Sequence, residues 1–578
     1  MPHHLAFLWR RGGGALLSVS TQSQSEPLTI EAGVASPRAR TWPDYLIVTV
    51  AAALLSCTAF LHYWRSGELL LYGDAVAHMN IARRVVDTRL PGLFQFGTVW
   101  LPLPHILMIP LIRSTWIWQT GVGGAIPSML AYILGVIGIF RLVRTGLNQR
   151  PHSRLAAYVA TAIFAVNPNL LYLQSTAMTE VLYLALFVWA TVYLTDFGLA
   201  LSSGNDRRAQ RSLIACAIVL VLAMLTRYDG WFITGAYSIA ALALLIHANR
   251  RNQLPGFQFL YQRSWRRVIV GIVLMLALVP AWWFIYNQRE FHDYLAFVRG
   301  PYSAKGIEAR TQRPGQPHHP GWNSPTVGAT YFVKSAKLNM ASTDRSQRMW
   351  IYAAVLGSIY LLGFMRPLLP WLLLWAPVPF YAISMAWGGV PIFIPVWWPF
   401  SYYNVRYGTQ LIPVFAVFGA LLVLLVLNRF RWRVLQYATI VAAAILISTS
   451  YYGLVREVPI CLREARVNSV DRIALEKKLS AELRQLPANS TLLMYLGQHG
   501  GALQDIGFPL RRTINECHKR YWESALMAPA LSADYIIATQ GDPISEAIRR
   551  HPAGIEKIAE ISVPRQSPIS IYRSTDHR

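Results

Sequence analysis

Two carboxylates and two arginines, each at the end of an apolar run, are the residues of this chain best fitted for chemistry. Asp74 lies in Tyr72-Gly73-Asp74-Ala75-Val76-Ala77-His78, a polar break directly after the first strongly apolar stretch. A carboxylate there either takes a proton as a general base or caps the start of a helix, and one side chain can do both. His78 follows Asp74 by one helical turn on the same face. That spacing suits a metal ligand pair or an acid–base couple as well as a plain hydrogen bond on a helix surface. Glu180 closes Ser175-Thr176-Ala177-Met178-Thr179-Glu180, where an acid also suits the first turn of a helix and its dipole. Arg227-Tyr228-Asp229-Gly230 interrupts a long apolar run, and its two charges can neutralise each other. Asn404-Val405-Arg406-Tyr407-Gly408 follows the aromatic run Trp397-Trp398-Pro399-Phe400-Ser401-Tyr402-Tyr403. Those aromatics suit a membrane-interface belt, and the planar guanidinium of Arg406 suits a phosphate. A charge inside or at the edge of a membrane costs about 2.5–3.5 kcal/mol even on the lenient insertion scale, so each of these needs a partner or a task.

The elements that must position them are membrane spans. The 578 residues are 54% hydrophobic and only 14% charged, against about 25% charged for a soluble domain. The net charge of +25, from 53 Lys+Arg against 28 Asp+Glu, could suggest nucleic acid. The arginines sit mainly between apolar stretches, however, where they orient helices and meet anionic headgroups, so the partner is membrane lipid and not nucleic acid. Residues 1–43 are expected to be a disordered cytoplasmic tail, with Gly12-Gly13-Gly14 and an apolar patch too short for a signal peptide.

Apolar runs bounded by charge place spans at Asp44–Trp64, Val122–Val143, Leu155–Tyr172 and Val181–Leu201, then a hairpin over Leu213–Ile246. Val268–Tyr286, Trp350–Phe364, Leu368–Trp387, Thr409–Leu427 and Val434–Tyr452 follow, about eleven spans in all. With the N-terminus inside, the arginine clusters fall on one face and the short turns of the other face hold only Arg227 and Arg406. Asp74, Glu180, Arg227 and Arg406 then share the outer face, with a long first outer loop over residues 65–121. Val99–Trp118 is apolar, but Pro102, Pro104, Pro110 and Arg113 speak against a straight span. It is expected to be interfacial or re-entrant, with Trp100, Trp116 and Trp118 at headgroup depth.

After residue 453 the pattern changes. Helices are expected over Leu475–Leu486, Arg520–Met527 and Ser545–Arg550, with strands at Thr491–Leu496, Tyr535–Ala538 and Ile569–Tyr572. The fold class is therefore a membrane all-α bundle, residues 44–453, with a small C-terminal α/β domain over residues 454–578 outside the membrane. Gly497-Gln498-His499-Gly500-Gly501 follows a strand but lacks the Lys-Ser/Thr of a phosphate loop, so a plain turn is the reading. Of the four cysteines, Cys461 and Cys517 fall in this domain and are disulfide candidates, while Cys57 and Cys216 lie in spans.

In order along residues 44–453, Gly73-Asp74, Asn167-Pro168 with Glu180, Leu225-Thr226-Arg227-Tyr228-Asp229-Gly230 and Arg406-Tyr407-Gly408-Thr409-Gln410-Leu411-Ile412-Pro413 form a pattern. It resembles the GT-C superfamily of polytopic glycosyltransferases, in particular the bacterial relatives of protein O-mannosyltransferases and of lipid A aminoarabinose transferases. The resemblance implies a bacterial inner-membrane enzyme that moves a sugar from a polyprenyl-phosphate donor to an acceptor hydroxyl on a lipid, glycan or protein. It implies Asp74 as the base, Glu180 as the second-loop acid and Arg406 beside the donor phosphate, with Arg227 and Tyr407 near it. The chain departs from the family where Ala75 stands at a Glu position and His78 near a Tyr. Relatives differ in needing a divalent ion, so a metal stays an open question at this point. A secondary transporter or lipid flippase is the alternative, but no internal repeat is visible and the charges sit at one face rather than mid-span.

Overall fold

The computed structural model describes residues 42–578 except 149, 313, 431 and 578, so the expectation for the N-terminal tail lies outside the described residues. From Asp44 onward the chain forms one compact unit. Every stretch expected to span is helical, and among the described residues eight helices are long and apolar enough to cross a membrane, against about eleven expected spans.

Local chemistry decides where the spans break. The Leu155–Tyr172 stretch stops helically at Ala165 and resumes as Pro168–Leu173. Asn167 accepts from the backbone N–H of Asn169 (3.0 Å) and Leu170 (3.1 Å), and Pro168 has no N–H to continue the first helix. The expected hairpin is formed by Asp206–Met224 and Asp229–Arg251. Gly230 lets its two arms close, since a Cβ there would overlap the backbone of Ala223. Pro367 and Pro370 tighten the start of another span into the 3₁₀ run Arg366–Trp375, which leads into the helix Pro377–Trp387.

The helix Ile412–Arg429 is the most enclosed of the spans, packed against Asp344–Phe364 and Ser153–Ala165. Its contact with Asp344–Phe364 depends on Gly357, where a Cβ would overlap the carbonyl of Phe418. Gly357→Ala is expected to destabilise the bundle by about 1–3 kcal/mol through overpacking. A thermal melt in detergent checks this, and an unchanged midpoint contradicts it. Two further charge pairs tie spans of the bundle together: Arg141 with Asp196 at 2.7 Å, and Arg154 with Asp44 at 2.6 Å.

The Val99–Trp118 stretch is two short helices, Leu103–Ile112 and Thr115–Thr120, rather than a span. Its tryptophans do not share one depth. Trp116 is exposed, but Trp100 packs on His78 at 4.8 Å, and Trp118 is wholly buried with the Arg83 guanidinium 5.0 Å from its ring.

After the helices Arg433–Arg456 and Ile460–Leu483 the chain builds a five-stranded sheet in the order β2-β1-β3-β5-β4. Strands β1 (Leu492–Met494), β2 (Thr513–Ile514) and β3 (Tyr535–Thr539) pair in parallel. Strands β4 (Ile555–Ile561) and β5 (Ile569–Ser574) add antiparallel. The Gly497–Gly501 segment is not a plain turn. It opens the helix Leu496–Ile506, kinked at His499, and Glu516 accepts from the N–H of Leu496 (2.9 Å) and Gly497 (2.8 Å). A protein carboxylate thus occupies the helix start, the place where a phosphate would bind in a phosphate loop.

The tail packs directly on the bundle. Tyr72 donates to the Cys461 carbonyl (2.8 Å), Arg466 pairs with Glu68 (2.6 Å), and Gln504 donates to the Trp118 carbonyl (2.6 Å). Cys461 and Leu479 share one hydrophobic core with Tyr72 and Tyr172.

Candidate active site

Asp74 sits in the first turn of the helix Gly73–Val86, but its side chain does not cap that helix. The N-cap position is Tyr72, with no side-chain cap bond, and the Asp74 carboxylate turns instead to Arg406, whose Nη2 donates to Oδ2 at 2.6 Å. Glu180 likewise opens the helix Glu180–Ser202 without capping it. Its Oε1 accepts from Arg406 Nε (3.0 Å) and Arg227 Nη1 (3.2 Å), and its Oε2 has no hydrogen-bond partner among the described residues. Four breaks far apart in sequence therefore meet at one point.

Arg406 lies in the 3₁₀ turn Val405–Leu411, which leads into the central helix. Its lone position in the sequence suggests a free cation, but the fold surrounds it with acids. Besides Asp74 and Glu180 it binds Glu464 of the tail, through Nη1 to Oε1 (3.0 Å) and its backbone N–H to Oε2 (3.2 Å). Arg227 pairs with Glu180 and with Asp229 (3.3 Å), so the neutralisation within its own motif is made. Tyr407 packs between the two cations, its ring 4.9 Å from the Arg227 guanidinium and 5.1 Å from that of Arg406.

Tyr381 and Gln410 complete the cluster. The Tyr381 hydroxyl donates to Asp229 at 2.6 Å, and Gln410 Nε2 donates to the same carboxylate oxygen at 2.5 Å. Sequence reasoning missed Glu464, Tyr381 and Gln410. Glu464 is one acid among many charges on the helix Ile460–Leu483, and the other two lie uncharged in apolar stretches.

His78 is turned away from Asp74 and onto His105, Nδ1 to Nε2 at 2.9 Å. Burial pushes His78 down to about 4, although Asp74 and Glu180 pull the other way, and it pushes His105 well below the usual range. Both rings are therefore neutral at pH 7 and share one proton between facing nitrogens. Among the described residues no three His, Cys, Asp or Glu side chains stand together as a metal ligand set. With His78 on His105, and Asp74 and Glu180 on arginines, the donor set does not fit a divalent ion as it stands.

Cys461 and Cys517 do not pair; both are free. Cys461 is buried where the tail meets the bundle, its Sγ on Asn339 Oδ1 at 3.2 Å. Cys517 instead follows Glu516 in the loop after β2, where burial raises its thiol to about 11. Thiol labelling of the denatured protein without reductant is expected to modify both, and a Cys461–Cys517 disulfide peptide in mass spectra would contradict the structure.

A cavity of about 750 Å³ reaches Asp74. One stripe of the helix Gly73–Val86 (Asp74, Ala77, Asn80, Ile81 and Arg84) lies along it. Aromatic side chains including Phe94, Trp100, Phe291 and Tyr302 line the wall, and the tail contributes Tyr495, Glu516 and Lys519. The Asp74 side chain is 41% exposed, whereas Glu180 and Glu464 are 2% and 1% exposed. Asp74 is the acid of the cluster most open to the cavity.

No protein-family model matches the chain, and no curated protein matches it in sequence. Among solved structures it is similar to ArnT from Cupriavidus metallidurans in the apo state, at 11% identity and a TM-score of 0.49, over 93% of this chain and 99% of that one. It is similar to the same protein bound to undecaprenyl phosphate at the same identity and score, over 92% of this chain and 98% of that one.

Proposed function

We propose that the chain is a membrane glycosyltransferase of the GT-C kind, moving a monosaccharide from a polyprenyl-phosphate donor to an acceptor hydroxyl on the extracytoplasmic side. The observation that carries this reading is the state of Asp74. One carboxylate oxygen is fixed by a buried guanidinium, and the side chain is open to a cavity of a size that suits small-molecule sites.

In the reaction the acceptor oxygen attacks the anomeric carbon, the bond from that carbon to the phosphate oxygen breaks, and Asp74 takes the hydroxyl proton. Attack opposite the phosphate inverts the anomeric configuration. Polyprenyl phosphate leaves carrying the electron pair, and Arg406 and Arg227 stabilise its charge. For this the phosphate takes the guanidinium nitrogen that Asp74 holds at rest, which frees the carboxylate to act as base. Glu180 keeps the two arginines together. Residues 44–453 form the transferase body with its N-terminus cytoplasmic, and residues 454–578 form an extracytoplasmic cover that supplies Glu464 and part of the cavity wall.

The test is turnover. Purified protein in lipid nanodiscs, given a panel of polyprenyl-phosphate sugars and membrane-extract acceptors, is expected to release polyprenyl phosphate and label an acceptor. Vesicle uptake of solute with no dependence on a lipid-linked sugar would replace this reading with a transporter.

A further inference from the structure

The same cavity is lined by Arg84. Arg84 lies ten residues after Asp74 on the same helical stripe, about 15 Å along the axis at 1.5 Å per residue. It is 8% exposed, makes no ion pair among the described residues, and its Nε has no hydrogen-bond partner. Its one bond is a long contact from Nη2 to the Gln95 carbonyl at 3.4 Å. The charge of Glu516, in the same cavity, offsets part of the desolvation cost of this guanidinium, and an anion in direct contact with it would offset more. Lys519 of the tail lines the same cavity, its ammonium 5.1 Å from the Phe291 ring, and also makes no ion pair among the described residues.

Two of the other charges of the cavity differ in this respect. Arg472 is paired with Glu476 at 2.7 Å, and Glu516 is engaged by two backbone amides and feels the Arg84 charge without making an ion pair with it. Glu290 makes no ion pair among the described residues. The donor phosphate cannot serve both places. A phosphate joined to the carbon under attack lies within a few bonds of the oxygen that Asp74 deprotonates, well short of Arg84.

We propose that Arg84 and Lys519 form an anion subsite that takes a phosphate group carried by the acceptor, remote from the hydroxyl presented to Asp74. A guanidinium and an ammonium in a partly enclosed, aromatic-lined cavity match the charge and the several acceptor oxygens of a phosphate. The cavity then reads the acceptor at two points, a hydroxyl at Asp74 and a phosphate at Arg84. The acceptor role rests on the transferase reading, but the anion subsite does not.

The experiment is calorimetric titration of the full-length protein in nanodiscs with decyl phosphate, with glucosamine 1-phosphate, and with decanol and glucosamine as uncharged or phosphate-free controls. Phosphate-dependent binding is expected, weakened at least tenfold by Arg84→Gln and several-fold by Lys519→Gln, with Arg84→Lys intermediate. Arg511→Gln, at an exposed position, is expected to change nothing, and a thermal melt of each variant separates lost binding from lost fold. Preference of the Arg84-dependent binding for decyl phosphate assigns the acceptor phosphate to a lipid, and its preference for glucosamine 1-phosphate assigns it to a glycan headgroup. Absence of phosphate binding by the unaltered protein, or equal binding by folded Arg84→Gln, overturns the subsite. Asp74→Asn is expected to retain phosphate binding. Arg84-dependent binding without any sugar transfer would keep the subsite and remove the transferase reading. Transfer with phosphate binding indifferent to Arg84 would do the reverse.

Discussion

Asp74→Asn is expected to abolish sugar transfer while the protein still inserts and melts at the same temperature. The substitution keeps the size and shape of the side chain, and an amide oxygen can still accept from Arg406 Nη2 where Oδ2 does at 2.6 Å. Arg406 retains Glu180 and Glu464, so the buried part of the cluster stays neutralised as before. Because Asp74 is 41% exposed, its charge contributes little to the fold compared with the two buried acids. What the amide cannot do is take a proton. General-base catalysis contributes about 10²- to 10⁴-fold, and the loss is expected to fall in kcat rather than KM. Release of labelled polyprenyl phosphate, measured beside a detergent melt, checks both halves. Full turnover by Asp74→Asn would remove it as base, and a collapsed melt would make it a structural residue.

The residues that announced this site in the sequence were those that cost most to leave unpartnered. Asp74, Glu180, Arg227 and Arg406 are charges at the ends of apolar runs, and the argument from insertion cost finds such residues without knowledge of the fold. It could not say what they would meet. Arg406 reads as a lone cation because Glu464, its strongest buried partner, follows it by 58 residues on a helix dense in solvated charge. Tyr381 and Gln410 carry no charge, so a filter on charge passes over them. The same limit explains the tail. Strand β1 is fully buried and β3 nearly so, and both read as apolar runs. Strand β4 is an edge whose residues are largely exposed, so Ile555-Glu556-Lys557-Ile558-Ala559-Glu560-Ile561 shows no clean alternation. Strand β2 has two residues and no pattern at all. Two cysteines in one domain permit a disulfide by count, but only the fold decides whether they meet.

Arg406→Met is expected to have the largest effect on stability of any single change in the cluster. Four carboxylates (Asp74, Glu180, Glu464 and Asp229) stand against two guanidiniums, and Arg406 alone binds three of them. Methionine fills much of the same volume without charge, so packing is largely kept and the electrostatic change is isolated. It leaves Glu464 without its ion-pair partner at 1% exposure, and leaves Glu180 to Arg227 alone. Breaking a buried ion pair by removing one partner costs about 3–5 kcal/mol, because the remaining charge stays desolvated. Arg406→Lys is expected to recover little, since a single ammonium cannot reproduce the fork that serves separate acids through Nε, Nη1 and Nη2. Glu464→Gln in the Arg406→Met background is expected to restore part of the loss, because it removes the charge left without a partner. That recovery separates a structural keystone from a residue that only binds donor phosphate, for which neutralising a tail glutamate would not raise the melting temperature. An unchanged melt in Arg406→Met would mean that the acids take up protons on their own, leaving Arg406 to the phosphate alone.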